Sequence, residues 1–427
     1  MLDIVSDKMN NGLNIHTINT DKFKTNLINI YFKRPLLPQE VTFNALLPKV
    51  LQRGSKNYDT SQKIAKKLDY LYGSSLGADV GKKGERHITL YSLNTVGLKY
   101  IDDGDLLKES MELLNELLFE PLVEESGFKA EYVKQEKVNL ENKIKGRLND
   151  KNRYSYERCI EEMCRNENFR LYEHGLLKDI EAINEKNLFN HYKNAILTSP
   201  IDIVVVGSIP HEHVKKYMID SLKLQQSNVI AIEDDKLISR QGSVYEVNEE
   251  MEINQGKLSL GYRTNISYKD TLYPALMLYS SILGGGPHSK LFTKVREERS
   301  LCYYVYSKIE KFKSLMLISS GIEVDKADET KQVIQQQLEE IKKGNITENE
   351  LINGKKALIT AIQALGDSPA AMAEYTYSQI VGNHIITPDE LIKKINATDI
   401  DEVVAVSEKI QLDTIYFLKG SGKGGNS

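Results

Sequence analysis

The sequence predicts an α+β fold with two homologous domains, each with several helices packed on one face of a mostly antiparallel sheet. Three observations lead to this prediction. The chain has 427 residues, too many for one ordinary hydrophobic core. Its two halves show the same order of a strand, a helix, an alternating hairpin and further helices. Each half also ends in a helix-like segment followed by an apolar strand, at residues 201–207 and 414–418.

The corresponding elements are assigned in chain order. First strands are predicted at 27–32 and 257–262, first helices at 42–51 and 272–283, and hairpins at 75–91 and 301–322. Residues 225–252 are polar and acidic, so we predict a linker there, between an N-terminal domain of residues 1–224 and a C-terminal domain of residues 253–419. The glycine-rich stretch 420–427 is predicted to be a flexible tail.

Helix ends are clearly marked in the second half. Thr347 precedes Glu350 by three residues, and Thr387 precedes Glu390 in the same way, which is the spacing of a capping box. Residues 327–343 carry apolar side chains at helical spacing and are followed by a glycine. These patterns predict an amphipathic helix and the starts of two more.

Composition excludes several classes of function. The net charge is −4 with both signs interspersed, so no basic surface for nucleic acid is expected. The three cysteines show no C-x-x-C spacing, so we expect neither a disulfide framework nor a zinc knuckle, and a cytoplasmic location is predicted. We expect no membrane partner, because no apolar run is long enough for a signal peptide or a membrane span.

Standard catalytic motifs are missing. None of the eight histidines is paired with another at the i, i+4 spacing of a helical zinc site. His211, Glu212 and His213 are interpreted as a surface helix start, because residues at i and i+2 do not face each other on a helix. The glycine run 284–286 lacks the Lys-Ser/Thr of a phosphate loop. It indicates either a helix cap and turn or a backbone that passes close to a ligand.

The residues after this run carry a recognisable pattern. Ser-x-Leu-Phe at 289–292, Val-Arg-Glu at 295–297 and Leu-x-Tyr at 301–303 follow the glycine turn. This order resembles the C-terminal half of the pitrilysin and mitochondrial-processing-peptidase family of metallopeptidases. The resemblance implies that Arg296 and Tyr303 reach an active site. It also implies that substrate passes over Gly284, Gly285, Gly286 and Ser289.

The first half resembles the family's zinc-binding half over residues 46–58 and 135–144. The family's His-x-x-Glu-His helix would place its two histidines and its general base at Ala45, Lys49 and Pro48, and its third ligand at Lys143. Alanine has no donor atom, lysine repels a cation, and proline inside a helix costs about 3 kcal/mol or more. Glu136 remains at the position of the outer glutamate. The zinc motif is therefore degenerate, and no metal is expected in this chain.

Some family members lack the zinc motif and act beside a homologous subunit that has it. This chain resembles such a member, most closely the short bacterial YmfF-type proteins. The resemblance implies no independent activity, a zinc-bearing homologous partner, and an unfolded peptide substrate. Arg296 and Tyr303 would support the partner's active site by polarising the scissile carbonyl. Family membership also carries a link to modification of elongation factor P, which no residue of this chain supports.

The sequence leaves a second class of function open. A peptide-binding or scaffold protein could use the same fold without any role in proteolysis. Retention of Arg296 and Tyr303 argues against the scaffold, which has no need of a pair that faces an oxyanion. A self-sufficient peptidase conflicts with the missing zinc ligands.

Overall fold

The computed structural model describes residues 4–9, 12–100, 106–221, 227–240 and 242–420. The start of the predicted linker, up to residue 226, and residues 421–427 of the predicted tail lie outside the described residues. Gly420, which we assigned to that tail, is the last residue of a strand. Among the helices that the structure describes, none combines the length and the apolarity needed for a transmembrane span.

The described strands form two large sheets and one small hairpin. They are β1 (Ile4–Lys8), β2 (Leu13–Asn19), β3 (Thr25–Pro35), β4 (Ser75–Lys83), β5 (Arg86–Val96), β6 (Val123–Glu124), β7 (Gly127–Phe128), β8 (Ile201–Gly207), β9 (Tyr245–Met251), β10 (Gly256–Arg263), β11 (Cys302–Glu310), β12 (Leu315–Ile322) and β13 (Gln411–Gly420). The first sheet has the order β1-β2-β8-β3-β5-β4 and the second the order β11-β12-β10-β13-β9.

The two sheets share one plan. Read from the opposite edge, the order β9-β13-β10-β12-β11 repeats β2-β8-β3-β5-β4, and β1 is an extra strand of the first sheet. The parallel pairs are β2 with β8 and β9 with β13, at equivalent places, while the remaining pairs are antiparallel. This repetition confirms the α+β class and the mostly antiparallel sheets.

The helices fill the segments between the strands. They are α1 (Val41–Leu51), α2 (Ser61–Tyr70), α3 (Leu106–Phe119), α4 (Ala130–Gly146), α5 (Lys151–Met163), α6 (Leu177–Ile180), α7 (Glu185–Thr198), α8 (His211–Ser221), α9 (Tyr273–Gly284), α10 (Ala327–Lys342), α11 (Glu348–Gln363), α12 (Pro369–Val381), α13 (Pro388–Ala397) and α14 (Ile400–Lys409). The capping boxes at Thr347 and Thr387 are confirmed, and so is the helix predicted from residue 327.

Each sheet is covered on both faces, which the sequence analysis did not foresee. Helices α1, α3 and α7 share one core with the first sheet, and α9, α10 and α14 share another with the second. The opposite face of the first sheet is covered by α12, whose Tyr377 ring stacks on Tyr31 with centroids 3.6 Å apart. The opposite face of the second sheet is covered by α5 through Cys159 and Met163. Each half therefore contributes one helix, α5 or α12, that covers the sheet of the other half.

The predicted linker is too long at its C-terminal end. Residues 245–251 form strand β9, which pairs with β13 at the edge of the second sheet. The error has a physical reason, because β9 exposes acidic side chains on its solvent side and therefore has the composition of a loop. The division into two domains at these residues remains a prediction.

Candidate functional site

Helix α1 carries three of the four degenerate positions. Ala45 is buried in the core of the first half, and Pro48 is buried inside the same helix. Lys49 points away from that core, and its Nζ donates a hydrogen bond to the carbonyl oxygen of Ala78 on β4. None of the three side chains offers a lone pair to a metal ion in this arrangement.

Helix α4 holds the remaining positions of the degenerate site. The buried carboxylate of Glu136 accepts hydrogen bonds from the Arg53 guanidinium, with which it forms an ion pair. The Asn139 amide donates to both carboxylate oxygens of Glu136 at 3.2 Å. Lys143 follows two turns later and is exposed. The residues present do not fit zinc, because Glu136 is already paired and the other groups are cations or apolar.

Two buried side chains, Asn44 and His87, and the half-buried His191 form a network next to this site that sequence reasoning missed. Asn44 donates from Nδ2 to Nδ1 of His87 at 3.2 Å and accepts at Oδ1 from Nε2 of His191 at 2.7 Å. His87 donates from Nε2 to the carbonyl oxygen of Glu173 at 2.8 Å. Burial lowers the pKa of both histidines to about 4. The network is therefore neutral near pH 7 and structural, and no sequence spacing marks it.

One other group of metal-type side chains occurs in the described residues. Asp7, His211 and Glu212 have ligand atoms close to one another at the start of α8. Lys215 reaches the Asp7 carboxylate at 2.7 Å, and His211 lies 3.4 Å from it. The lysine already neutralises the carboxylate that would attract a cation, so this helix start is interpreted as a surface ion pair.

Arg296 lies in an irregular helical turn. Residues Phe292–Glu297 form a π-helical segment, a rare geometry that is frequent at functional sites. The Arg296 side chain is exposed, and its guanidinium lies 4.8 Å from the centre of the Phe292 ring. Among the described residues, no carboxylate forms an ion pair with Arg296. Its charge is therefore available to a partner molecule.

Tyr303 lies in a second irregularity, at the start of β11. Pairing with β12 runs from Cys302 opposite Ile322 to Tyr304 opposite Gly321, so Tyr303 is the extra residue of a β-bulge. Its side chain is 61% exposed although it belongs to a strand. Bulges leave one residue unpaired and re-aim its side chain. The bulge thus turns the Tyr303 hydroxyl toward solvent.

The glycine turn divides into packed and open residues. A Cβ on Gly284 would meet the backbone nitrogen of Ser307 at 2.5 Å, so this glycine lets α9 approach β11. Ser289 is buried and accepts a hydrogen bond from the Phe292 amide at 3.4 Å. Gly285 is exposed, but a Cβ on it would meet the Ser281 backbone at 2.7 Å, whereas a Cβ on Gly286 would contact only the His288 ring. Gly284, Gly285 and Ser289 thus have structural roles, and substrate contacts at all four residues remain a prediction.

The structure brings only some of the predicted residues together. The π-helical segment packs against β11, so Arg296 and Tyr303 share one region of the second half with the glycine turn. Within the part of the chain that is described, no hydrogen bond or ion pair joins Arg296 or Tyr303 to Ala45, Pro48, Lys49 or Lys143. In the described residues the degenerate positions lie on α1 and α4, whereas Arg296 and Tyr303 lie on the π-helical segment and on β11.

Comparisons with known proteins agree on one family. The family model described as Peptidase M16 inactive domain matches residues 182–358. The probable inactive metalloprotease YmfF of Bacillus subtilis is 37% identical over 96% of this chain and 96% of its own length. The uncharacterized zinc protease YmxG of the same organism is 26% identical over 37% of this chain and 39% of its own length.

A solved structure supports the same conclusion. The crystal structure of a conserved protein from Enterococcus faecalis V583 superposes with a TM-score of 0.91 at 29% identity and covers 99% of both chains. Together with the YmfF match, this agreement confirms the resemblance inferred from residues 284–303. The chain belongs to the M16 metallopeptidase family, the pitrilysin and mitochondrial-processing-peptidase family, and is similar to a probable inactive member of it.

Proposed function

We propose that this chain is the non-catalytic subunit of a heterodimeric zinc peptidase and has no peptidase activity of its own. A homologous subunit with an intact zinc motif would be its partner, and both would act in the cytoplasm on an unfolded peptide. Zinc would be bound by the partner alone, where it would activate a water molecule. The single observation that carries this proposal is the exposed Arg296, which has no ion-pair partner in the described part of the chain, in one region with the exposed Tyr303.

Arg296 and Tyr303 are suited to bind a developing oxyanion. The guanidinium provides a permanent charge with planar donors, and the phenol provides one O–H donor. Both side chains project from irregular backbone that holds them away from the core. Irregular backbone costs free energy that a purely structural region has no reason to keep. We therefore assign these two residues to the substrate carbonyl in the mixed complex.

The edge strand β4 is the second part of the proposed peptide site. It lies at the outer edge of the first sheet, where an extended peptide adds by backbone pairing. Two backbone groups of β4 already have side-chain partners. The Ala78 carbonyl accepts a hydrogen bond from Lys49, and the Val80 amide donates one to the Asp79 carboxylate at 2.9 Å. A peptide on this edge would displace Lys49 or pair on either side of it.

The proposal has one rival. A peptide-binding or scaffold protein would use β4 and the glycine turn without any contribution to proteolysis. The family link to elongation factor P modification fits either role and remains part of the proposal on family grounds alone. YmxG is named a zinc protease, so a homologous zinc-bearing partner is a reasonable candidate for the assembly.

The test is activity of the mixed complex. The chain is co-purified with the zinc-motif homologue from the same genome, and cleavage of an unstructured peptide is measured. Arg296→Ala and Tyr303→Phe are each expected to lower kcat by about 100-fold, as for the loss of one oxyanion donor. Arg299→Ala and Tyr72→Phe change exposed side chains of the same types and serve as controls.

The outcomes separate the two roles. Loss of activity in the Arg296 and Tyr303 variants, with complex mass and bound zinc unchanged, supports the subunit role. Full activity of both variants in an intact complex excludes it. A chain that binds peptide but never the zinc-motif homologue favours the scaffold.

A further inference from the structure

The second half contains an apolar cavity away from both sites described above. It has a volume of about 370 Å³ and lies between α9, α11, α13 and the loop before α9. Its apolar wall is formed by Met277, Leu358, Ile362, Leu365, Ile386 and Leu391. The volume falls within the range of pockets that hold small organic molecules, about 300 to 1,000 Å³.

Aromatic rings form the other wall of this cavity. Tyr268, Tyr273 and His384 line the cavity, and the centre of the Tyr268 ring lies 5.1 Å from that of Tyr273 and 5.8 Å from that of His384. The Phe312 ring is not part of the lining but packs on Tyr268, with centres 5.6 Å apart. A Cβ on Gly382 would meet the Tyr268 ring at 2.5 Å, so glycine is required for the ring to lie there. Such a wall of tightly positioned rings provides a rigid apolar contact surface.

One cation stands in this wall without a counter-charge. The Lys311 Nζ lies 5.2 Å from the centres of the Tyr268 and Phe312 rings. Among the described residues, it forms no hydrogen bond or ion pair. The nearby acids already have other partners. Glu374 accepts hydrogen bonds from Lys83 and Ser378. Glu310 accepts a hydrogen bond from the Tyr156 hydroxyl at 2.5 Å.

The environment of Lys311 makes an anion favourable beside it. Burial, together with the nearby Lys83 charge, lowers the pKa of Lys311 to about 8, although Glu374 and Glu310 act in the opposite direction. A half-buried ammonium without a partner is destabilised, and a bound carboxylate would relieve this penalty. Asp270, the acid of the cavity wall, already accepts a hydrogen bond from the Leu272 amide at 2.9 Å.

We propose that this cavity binds a small organic carboxylate with an apolar or aromatic body, and that Lys311 is its counter-charge. The apolar part of the ligand fills the space between the aliphatic and aromatic walls. Its carboxylate pairs with the Lys311 ammonium at the rings of Tyr268 and Phe312. Exposed Lys394, which also lines the cavity, adds a second positive charge to the same opening.

A matched pair of probes tests the charge requirement. Binding of 4-phenylbutyrate and of the neutral 4-phenylbutanol to the full chain is measured by titration calorimetry at pH 7. We expect the acid to bind at least about 10-fold more tightly, as for a charge-assisted contact in an apolar site. Lys311→Met keeps the length of the side chain and is expected to remove most of this preference, because the remaining Lys394 is exposed and screened by solvent. Lys308→Met removes an exposed lysine of β11, the strand that ends just before Lys311, and should leave this preference unchanged.

The pH dependence of the affinity for 4-phenylbutyrate identifies the charge that binds its carboxylate. Lys83, Glu374, Glu310 and Tyr268 face Lys311 from the surrounding elements, and His384 contacts the Tyr268 ring. Between pH 7 and pH 10 the affinity for 4-phenylbutyrate should fall toward that of Lys311→Met as Lys311 loses its proton. Lys311→Arg should keep its affinity at pH 10, because arginine stays protonated. Equal binding of acid and alcohol, absence of binding, or an unchanged preference in Lys311→Met would overturn the proposal.

Discussion

The degenerate zinc region of the first half and the Arg/Tyr region of the second half differ in how their charges are used. In the first region Lys49 binds the Ala78 carbonyl and Arg53 binds buried Glu136. In the second region Arg296 is exposed and, among the described residues, has no acidic partner, and Tyr303 is exposed on a bulge. The first region is internally satisfied, whereas the second presents its polar groups outward.

This contrast shows that one architecture can hold an internally paired region and an outward-facing one. The two sheets have the same strand order, so both regions are built on equivalent frames. In the first region Arg53 balances the buried Glu136 carboxylate, because an unpaired buried charge is costly. In the second region Arg296 and Tyr303 are exposed, as is typical of side chains that contact another molecule.

The largest expected effect is a loss of stability at acidic pH, which comes from two histidines beside the degenerate region. His87 and His191 have pKa values lowered to about 4, so they are neutral when folded and take up protons on unfolding. Their contribution to the free energy of unfolding is fully present above the ordinary pKa of histidine. As the pH falls from there toward 4, the free energy of unfolding decreases by about 1.4 kcal/mol per pH unit for each histidine. Urea unfolding measured from pH 6.5 to 4.5 should show this slope.

Two variants identify the source of the acid sensitivity. His191→Gln should lower the slope of the free energy of unfolding against pH by about 1.4 kcal/mol per pH unit, which corresponds to one proton. His213→Gln, a change at an exposed position, should leave the slope unchanged. A free energy of unfolding that stays constant over this range in the unchanged protein would contradict the structural role of the network around α1.

The next effect tests the ion pair of the degenerate region. Arg53→Met leaves the buried Glu136 carboxylate with only Asn139, and we expect a loss of about 2 to 3 kcal/mol in the free energy of unfolding. Urea unfolding at pH 7 measures the change. Arg299→Met, at an exposed position without an ion pair in the described residues, is the control. A loss below 1 kcal/mol would mean that the pair contributes little, about as much as a surface pair.

The smallest effect is expected in the Arg/Tyr region. Tyr303→Ala and Arg296→Ala should each change the free energy of unfolding by less than about 0.5 kcal/mol, because both side chains are exposed. Thermal and urea unfolding measure this directly. A loss above 2 kcal/mol in either variant would show that the residue supports the fold, and the contrast between the two regions would then fail.

Local features could be predicted because they depend on residues a few positions apart. Thr347 with Glu350 and Thr387 with Glu390 form the capping boxes that their spacing predicts. The strand at 245–251 was missed, because acidic residues on an edge strand resemble those of a loop. The bulge at Tyr303 and the π-helical turn at Arg296 were also not foreseen, since neither has a spacing signature.

The sequence by itself determined the α+β class and the family, because these depend on local patterns and on the identity of side chains. The loss of the zinc ligands remains a prediction from side-chain identity. Only the tertiary structure decided which charges are paired and which are exposed. Arg53 and Glu136 are 83 residues apart, and Lys83 and Glu374 are 291 residues apart. The exchange of α5 and α12 between the sheets likewise depends on such distant contacts, whose partners no local pattern specifies.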